Sequence, residues 1–321
     1  TNAGSSTLRG LRVDVQMDPA IGSWEAHLDA IEPGKTHRFT EIDLQLSASA
    51  LRDQTERTRG TLTARLLQGA SVLAEQTAPI EVLAANEWPG LNQAPELLAA
   101  FVSPNDHALR SLLPAVAQKL EELTGNSALD GYQSRDPQRV ADMAAAVYAA
   151  LQATGLGYIN PPASFEASGQ KVRTHEQVLS GGMGTCLDLT VLMAAVMEQC
   201  GLHPVLVLVQ GHAFPGVWLT EFSLQEPFHD DPLPLRKRVA LDEALVIDSS
   251  AMTTNTGFER ALAAANDHLK DTTAFRFVVD VAAARGFGIR PLPKAEQAHS
   301  IDPPPPNPAS PTPPEGRVVL E

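Results

Sequence analysis

A glycine-rich turn leads into a strongly apolar helix at residues 181–200, which read Gly-Gly-Met-Gly-Thr-Cys-Leu-Asp-Leu-Thr-Val-Leu-Met-Ala-Ala-Val-Met-Glu-Gln-Cys. The helix is expected to begin at Cys186 and to stop at Gly201, a residue suited to a left-handed helix end. At a helix start, the helix dipole and the unpaired backbone N–H groups favour a thiolate and can hydrogen-bond an oxyanion. Such a turn could also hold phosphate, but the Lys-Ser/Thr ending of a P-loop is absent. Cys186 is therefore a candidate nucleophile, whereas Cys200 is predicted to be structural.

Three apolar strands are predicted after this helix, and two of them carry chemical groups at their ends. His212 begins the strand at 212–219, directly after the strand at 204–209 and the turn Gln210-Gly211, and Asp248 ends the strand at 244–247. A histidine can take a proton from a thiol near neutral pH and return it to a leaving amine. A carboxylate on its other ring nitrogen holds the imidazole in the correct tautomer. The sequence thus predicts a catalytic triad of Cys186, His212 and Asp248.

Further candidates for the site surround this triad in the sequence. Gln170 is a candidate oxyanion donor, because it precedes the nucleophile in a loop and carries a neutral amide. Gly184 and Thr185 are expected to line the site, and Trp218 either shields the site or fills the core, of which the core is favoured. A zinc site at Cys200 and His203 would need two more ligands at suitable spacing, which the sequence does not offer, so no metal and no cofactor is expected. The remaining histidines that lie in polar surroundings are predicted to be surface residues: His175, His229, His268 and His299.

The rest of the chain indicates an α+β protein with three segments. Residues 1–90 alternate with period two and are broken by Gly and Pro, which predicts an antiparallel sheet or a small β-sandwich domain. Residues 91–290 form the predicted hydrolase domain, with helices at 109–123 and 137–155, a short capped helix at Thr174 and a solvated loop or lid at 221–242. Residues 291–321 are proline-rich and predict a linker to a further domain.

Composition excludes several classes of partner. The 38 acidic residues outnumber the 24 basic ones, and no basic cluster is denser than Arg236-Lys237-Arg238. We therefore expect this segment to bind neither nucleic acid nor an anionic membrane. No apolar run of membrane-spanning length occurs and the first residues lack the pattern of a signal peptide, so a cytoplasmic location is expected.

Four motifs resemble the transglutaminase-like superfamily. They are Gly-Thr-Cys-Leu-Asp-Leu at 184–189, Cys-Gly-Leu-His-Pro-Val at 200–205, Gly-His-Ala-Phe-Pro-Gly-Val-Trp-Leu at 211–219 and Val-Ile-Asp-Ser-Ser at 246–250. The resemblance covers roughly 100–290 and implies a papain-like α+β core, with an antiparallel sheet, that uses Cys, His and Asp in this chain order for acyl transfer. The paired Cys-x-x-Cys zinc motifs of the peptide N-glycanase branch and the Gln-Cys-Trp signature of animal cross-linking enzymes are absent.

A second set of motifs is similar to a domain near the front of large multidomain bacterial proteins with helicase-like or nuclease-like parts. The set comprises residues 86–88, 95–99, 130–133, 161–166 and 169–171. Some of those proteins are associated with antiviral defence.

The sequence therefore predicts a cysteine protease that acts on a protein partner through a thioester intermediate. Two alternatives stay open: a protein-glutamine deamidase or transglutaminase, and a catalytically silent recognition module.

Overall fold

The computed structural model describes residues 1–293 of the protein. Residues 1–291 form one compact unit. Helices and antiparallel sheets both contribute to it, so the predicted α+β class is confirmed. The predicted proline-rich linker, apart from its first three residues, and His299 lie outside the described residues. Across the described residues, no helix is both long enough and apolar enough to cross a membrane.

The N-terminal segment forms a single antiparallel sheet. Its strands and one short helix are β1 (Leu8–Asp18), β2 (Gly22–Ile31), β3 (Gln45–Leu46), α1 (Ala48–Arg52), β4 (Thr58–Gln68) and β5 (Ser71–Val82). The strand order is β3-β2-β1-β4-β5, and β1 lies at the centre because it pairs with both β2 and β4. Of the two predicted arrangements, the described residues of this segment thus adopt the sheet rather than two facing sheets.

The second part of the molecule contains the remaining helices and strands. In chain order they are β6 (Glu87–Trp88), α2 (Leu112–Thr124), α3 (Pro137–Gln152), β7 (Gly157–Tyr158), α4 (Phe165–Ser168), β8 (Gln170–Lys171), α5 (His175–Gly181), β9 (Met183–Gly184), α6 (Cys186–Gln199), β10 (Pro204–Val209), β11 (His212–Trp218), β12 (Phe228–His229), α7 (Leu233–Ala240), β13 (Ala244–Val246), α8 (Phe258–Lys270), β14 (Phe275–Asp280) and α9 (Val281–Gly286). Single 3₁₀ turns connect some of them, and one of these turns, Ser249–Thr253, follows the third predicted strand.

Helix ends follow the local chemistry of the sequence. The Asp136 side chain accepts a hydrogen bond from the backbone N–H of Gln138, and Pro137 occupies the first turn, so α3 begins there. Helix α2 stops at Gly125, whose φ of 75° is left-handed. The capped helix predicted at Thr174 is confirmed as α5, with a complete capping box between Thr174 and Gln177.

The second five-stranded sheet separates two apolar cores. Its order is β12-β14-β10-β11-β13, with antiparallel pairs throughout. Side chains alternate between the two faces of a strand. Leu206 and Leu208 of β10 therefore join the larger core with the buried helix α6, whereas Val205 and Val207 join a smaller core with α8.

A tight hairpin fixes the position of His212. Val209 pairs with His212 across the two-residue turn Gln210-Gly211, where Gly211 has a φ of 72°. Because side chains alternate, His212 shares a face of β11 with Phe214 and lies on the side of the sheet that α8 covers.

Two predictions for this part were wrong. His175 is buried rather than on the surface, and its Nε2 accepts a hydrogen bond from the backbone N–H of Ser103 at 3.2 Å. The segment 221–242 forms β12 and α7 instead of a solvated loop, because Leu235 is fully buried in the smaller core.

Candidate functional site

A capping box fixes the turn that carries Cys186. Thr185 is the N-cap of α6: its Oγ1 accepts a hydrogen bond from the backbone N–H of Asp188 at 3.3 Å, and its own N–H donates to Asp188 Oδ2 at 2.9 Å. The Asp188 carboxylate is fully buried and also accepts hydrogen bonds from the backbone N–H and the guanidinium of Arg173, at 2.8 and 2.7 Å. The backbone N–H groups of Cys186 and Leu187 belong to the first turn of α6, where N–H groups have no carbonyl partner within the helix.

Gly184 allows the chain to pack against its own helix. A Cβ atom added at this position would lie 3.1 Å from Cβ of Asp188 and 3.3 Å from Leu189 Cδ2. The backbone here also pairs in parallel with β7, since the N–H of Ile159 donates to the carbonyl of Gly184 at 2.9 Å. This pairing places Tyr158 opposite Gly184, two residues before the cysteine.

His212 and Asp248 are hydrogen-bonded, as the predicted triad requires. His212 Nε2 lies 3.2 Å from Asp248 Oδ1. The same oxygen accepts hydrogen bonds from the backbone N–H and the hydroxyl of Ser250, at 3.0 and 2.6 Å. Since Asp248 takes Nε2 of the imidazole, Nδ1 remains for a second partner.

Cys186 interacts with this imidazole. Burial lowers the pKa of His212, but the hydrogen bond to Asp248 and the interaction with the Cys186 side chain outweigh burial and raise the pKa to about 9. Burial raises the pKa of Asp248, whereas the hydrogen bonds from His212 and Ser250 lower it, and the net pKa lies below its usual range. The surroundings of His212 therefore favour a positively charged imidazolium next to the sulfur.

The helix start and the Asp248 turn are also joined directly. Thr190 Oγ1 donates to the carbonyl of Cys186 at 2.7 Å and lies 3.4 Å from Ser249 Oγ. Both hydroxyls are buried. This contact ties the first turn of α6 to the residue that follows Asp248, so the segments that carry Cys186 and Asp248 are held together.

Tyr158 is a site residue that the sequence analysis missed. Burial raises the pKa of its hydroxyl most, and the electrostatic interactions with the Cys186 side chain and with Asp248 raise that pKa further. The phenol thus remains protonated and can donate a hydrogen bond. Tyr158 is 41% exposed whereas Cys186 is fully buried. A two-residue strand has no periodic pattern, and the sequence held no other signal for it.

His268 is exposed, as predicted, but it also lies against the imidazole of His212. Its ring centroid is 4.9 Å from that of His212 and 6.0 Å from that of Phe214. Burial and the charge of His212 lower its pKa. The sequence did not reveal this contact, because it arises where α8 covers the face of β11 that bears His212.

The other predicted site residues fall into two groups. Gln170 is buried next to the nucleophile turn: its Nε2 donates to Thr185 Oγ1 at 3.1 Å, and its Oε1 is buried without a hydrogen-bond partner among the described residues.

Trp218, in contrast, lies at the far end of β11, about 20 Å from His212 at ~3.3 Å per residue. It is fully buried and donates through Nε1 to Asp280 at 2.9 Å, so it fills the core rather than lining the site.

Cys200 lies at the C-terminal end of α6, away from these groups. Burial raises the pKa of its thiol to about 12. It therefore carries almost no thiolate near neutral pH.

No protein-family model and no curated protein matches the chain. Among solved structures, the chain is similar to a "putative protease" from Parabacteroides distasonis, with 12% sequence identity and a TM-score of 0.23. The match covers 78% of this chain and 48% of that protein, so the chain spans about half the length of its neighbour. A likeness at this TM-score carries no argument for a shared fold. Membership of the transglutaminase-like superfamily therefore stays a prediction, and any function has to be argued from the geometry of the site.

Proposed function

We propose that the protein is a cysteine hydrolase that cleaves amide bonds in a protein partner, with Cys186 as nucleophile, His212 as general acid and base and Asp248 as the residue that orients His212. One observation supports this most strongly. A single imidazole hydrogen-bonds to a buried carboxylate at 3.2 Å and interacts with a thiol at the capped start of a helix. This arrangement stabilises an imidazolium and a thiolate together.

The reaction proceeds in two stages. The Cys186 sulfur attacks the carbonyl carbon of the substrate, and the His212 imidazolium gives its proton to the leaving amine as the C–N bond breaks, which leaves a thioester on Cys186. His212 then takes a proton from water as the hydroxyl adds to the thioester carbonyl. The C–S bond breaks, the acid product leaves, and the thiolate and imidazolium are restored.

Four groups are placed to stabilise the oxyanion formed in both stages. The backbone amides of Cys186 and Leu187 lie at the positive end of α6. The protonated hydroxyl of Tyr158 adds a side-chain donor beside the sulfur.

Gln170 supplies the fourth donor after rotation of its amide. If the Thr185 hydroxyl donates to the amide oxygen of Gln170, the NH₂ group takes the place of the unpaired oxygen and becomes free to donate to the oxyanion.

Burial limits what can reach the thiol. Cys186 is fully buried and the side chain of His212 is only 14% exposed. We infer that the substrate enters as an extended peptide segment or as a single glutamine side chain rather than as a folded surface. Peptide-bond cleavage is the reaction we propose, and glutamine deamidation is the other outcome that the test below separates.

Mass spectrometry of an unfolded protein substrate tests this proposal. Casein incubated with the wild-type chain is expected to yield new fragments, whereas the matched variant Cys186→Ala yields none. A variant without Cys200, Cys200→Ala, serves as control and keeps the activity. Intact casein whose glutamines have become glutamates would show a deamidase instead. Unchanged casein, combined with a Cys186 thiol no more reactive than Cys200, would contradict a catalytic role.

A further inference from the structure

Three side chains with metal-binding atoms meet next to the proposed nucleophile. One ligand atom each of His212, Asp248 and His268 lies within 4.8 Å of the other two. The three residues come from three different elements: β11, the residue that follows β13, and α8. The sequence analysis considered a metal only at Cys200 and His203 and missed this group, because chain positions 212, 248 and 268 show no ligand spacing.

The chemistry of the group selects a particular class of ion. Two imidazoles and one carboxylate match the three-ligand sets that hold zinc with one position left open to water. Hard ions such as Mg²⁺ and Ca²⁺ prefer oxygen ligands and are disfavoured by two histidines. The donor set therefore suits Zn²⁺ and related transition-metal ions.

From this juxtaposition we infer that His212, Asp248 and His268 form a binding site for a Zn²⁺-class ion. In tetrahedral coordination, ligand atoms at about 2.1 Å from zinc lie about 3.4 Å from one another. The His212–Asp248 pair already has this spacing at 3.2 Å. The inference requires the ring of His268 to move from within 4.8 Å of the other two ligand atoms to about this spacing.

Helix α8 presents His268 at the required position. Ala265 and Leu269, on the buried side of α8, anchor the helix to the smaller core. The ring of His268 is exposed to solvent on one side and stacks at 27° against Phe214, which belongs to the same face of β11 as His212. The ion thus has an open approach, while the helix that supplies the third ligand is fixed.

A bound ion would inhibit the proposed triad. A metal on His212 Nε2 replaces the proton that this nitrogen shares with Asp248, and it competes for the carboxylate as well. The imidazole and the carboxylate are then no longer available to Cys186, so the proposed triad cannot act. This inhibitory consequence rests on the proposed function, whereas the metal site itself does not.

Calorimetric titration with ZnCl₂ tests the site separately from any enzymatic activity. The titration uses the chain with Cys186→Ser, which removes the neighbouring thiol as an alternative ligand. We expect one Zn²⁺ per chain. Adding His268→Ala or His268→Gln should weaken binding by at least about tenfold, since even outer-shell partners of a metal contribute that much. The matched control His27→Ala removes an exposed histidine of the N-terminal sheet and should leave the affinity unchanged.

Two results would overturn the inference. One is a Cys186→Ser chain that takes up no stoichiometric zinc, and the other is equal affinity with and without His268. Circular dichroism of both His268 variants shows whether they are folded, so that a loss of binding is not a loss of structure. If zinc binds as expected but Cys186 of the wild-type chain shows no enhanced reactivity even without metal, the proposed function fails and the metal site stands. If Cys186 is reactive and zinc does not protect it from alkylation, the regulatory consequence fails.

Discussion

Replacing Asp188 by asparagine tests how the nucleophile turn is held. The carboxylate is fully buried and accepts three hydrogen bonds, from the backbone N–H groups of Thr185 and Arg173 and from the Arg173 guanidinium, at 2.8–2.9 Å and 2.7 Å respectively. Asparagine keeps the shape but offers one acceptor oxygen, and its NH₂ group faces at least one donor. A hydrogen bond to a charged group contributes about 1.5–3 kcal/mol.

The expected destabilisation follows from how many of these bonds are lost. The Arg173 side chain is 39% exposed, so water can solvate the guanidinium once the ion pair is lost. The ion pair is therefore counted at less than its full free energy. Loss of one buried hydrogen bond from a backbone N–H, together with part of the ion pair, should lower the free energy of unfolding by about 2–4 kcal/mol. For a unit of 291 residues, that lowers the Tm by roughly 3–7 °C.

Thermal unfolding followed by circular dichroism measures this change. The matched control is Asp267→Asn, which removes an exposed carboxylate paired with Lys270 on the surface of α8. The control should shift the Tm by no more than about 1–2 °C, because exposed ion pairs contribute little. If Asp188→Asn unfolds at the same temperature as the control, the buried network does not hold the turn and the reasoning is refuted.

Three further predictions concern the site. The new Cβ of Gly184→Ala would lie 3.1 Å from Cβ of Asp188. The variant should lower the free energy of unfolding in urea by about 1–3 kcal/mol and slow the alkylation of Cys186. An unchanged free energy and an unchanged alkylation rate would refute the close approach. Tyr158→Phe keeps the ring but removes the donor, so the rate of casein cleavage should fall by about tenfold or more at an unaltered Tm, whereas an unchanged rate would remove Tyr158 from the mechanism. Cys200 should resist iodoacetamide until strongly alkaline pH, because a thiol pKa raised to about 12 keeps it protonated below that range; peptide mapping that finds it labelled at pH 8 in the folded chain would contradict this.

The sequence anticipated the elements that carry the residues of the proposed triad because the signals for these elements are long or local. Helix α6 is an apolar run with a capping residue before it and a glycine after it, and the hairpin of β10 and β11 is two apolar strands around Gln210-Gly211. The hydrogen bond between His212 and Asp248 follows from the pairing of β11 with β13, which places the start of one strand near the residue after the other.

The contacts that the sequence did not reveal depend on which face of an element meets which neighbour. His268 reaches His212 because α8 packs on one particular face of the sheet, and no pattern in the helix itself specifies that choice. Tyr158 reaches Cys186 through a two-residue parallel pairing that leaves no periodicity. Helix α7 was not predicted, because its sequence is rich in proline and charge and only one of its residues, Leu235, is buried.

The rate at which Cys186 is alkylated tests the proposed triad most directly. Wild-type chain and the variant His212→Asn are treated with iodoacetamide at neutral pH, and labelling of Cys186 and Cys200 is followed by peptide mapping. With the triad as proposed, Cys186 reacts at least about a hundredfold faster than Cys200, and His212→Asn slows Cys186 by at least about tenfold while leaving Cys200 unchanged. Equal rates for the two cysteines, or a Cys186 rate that does not depend on His212, would contradict the account.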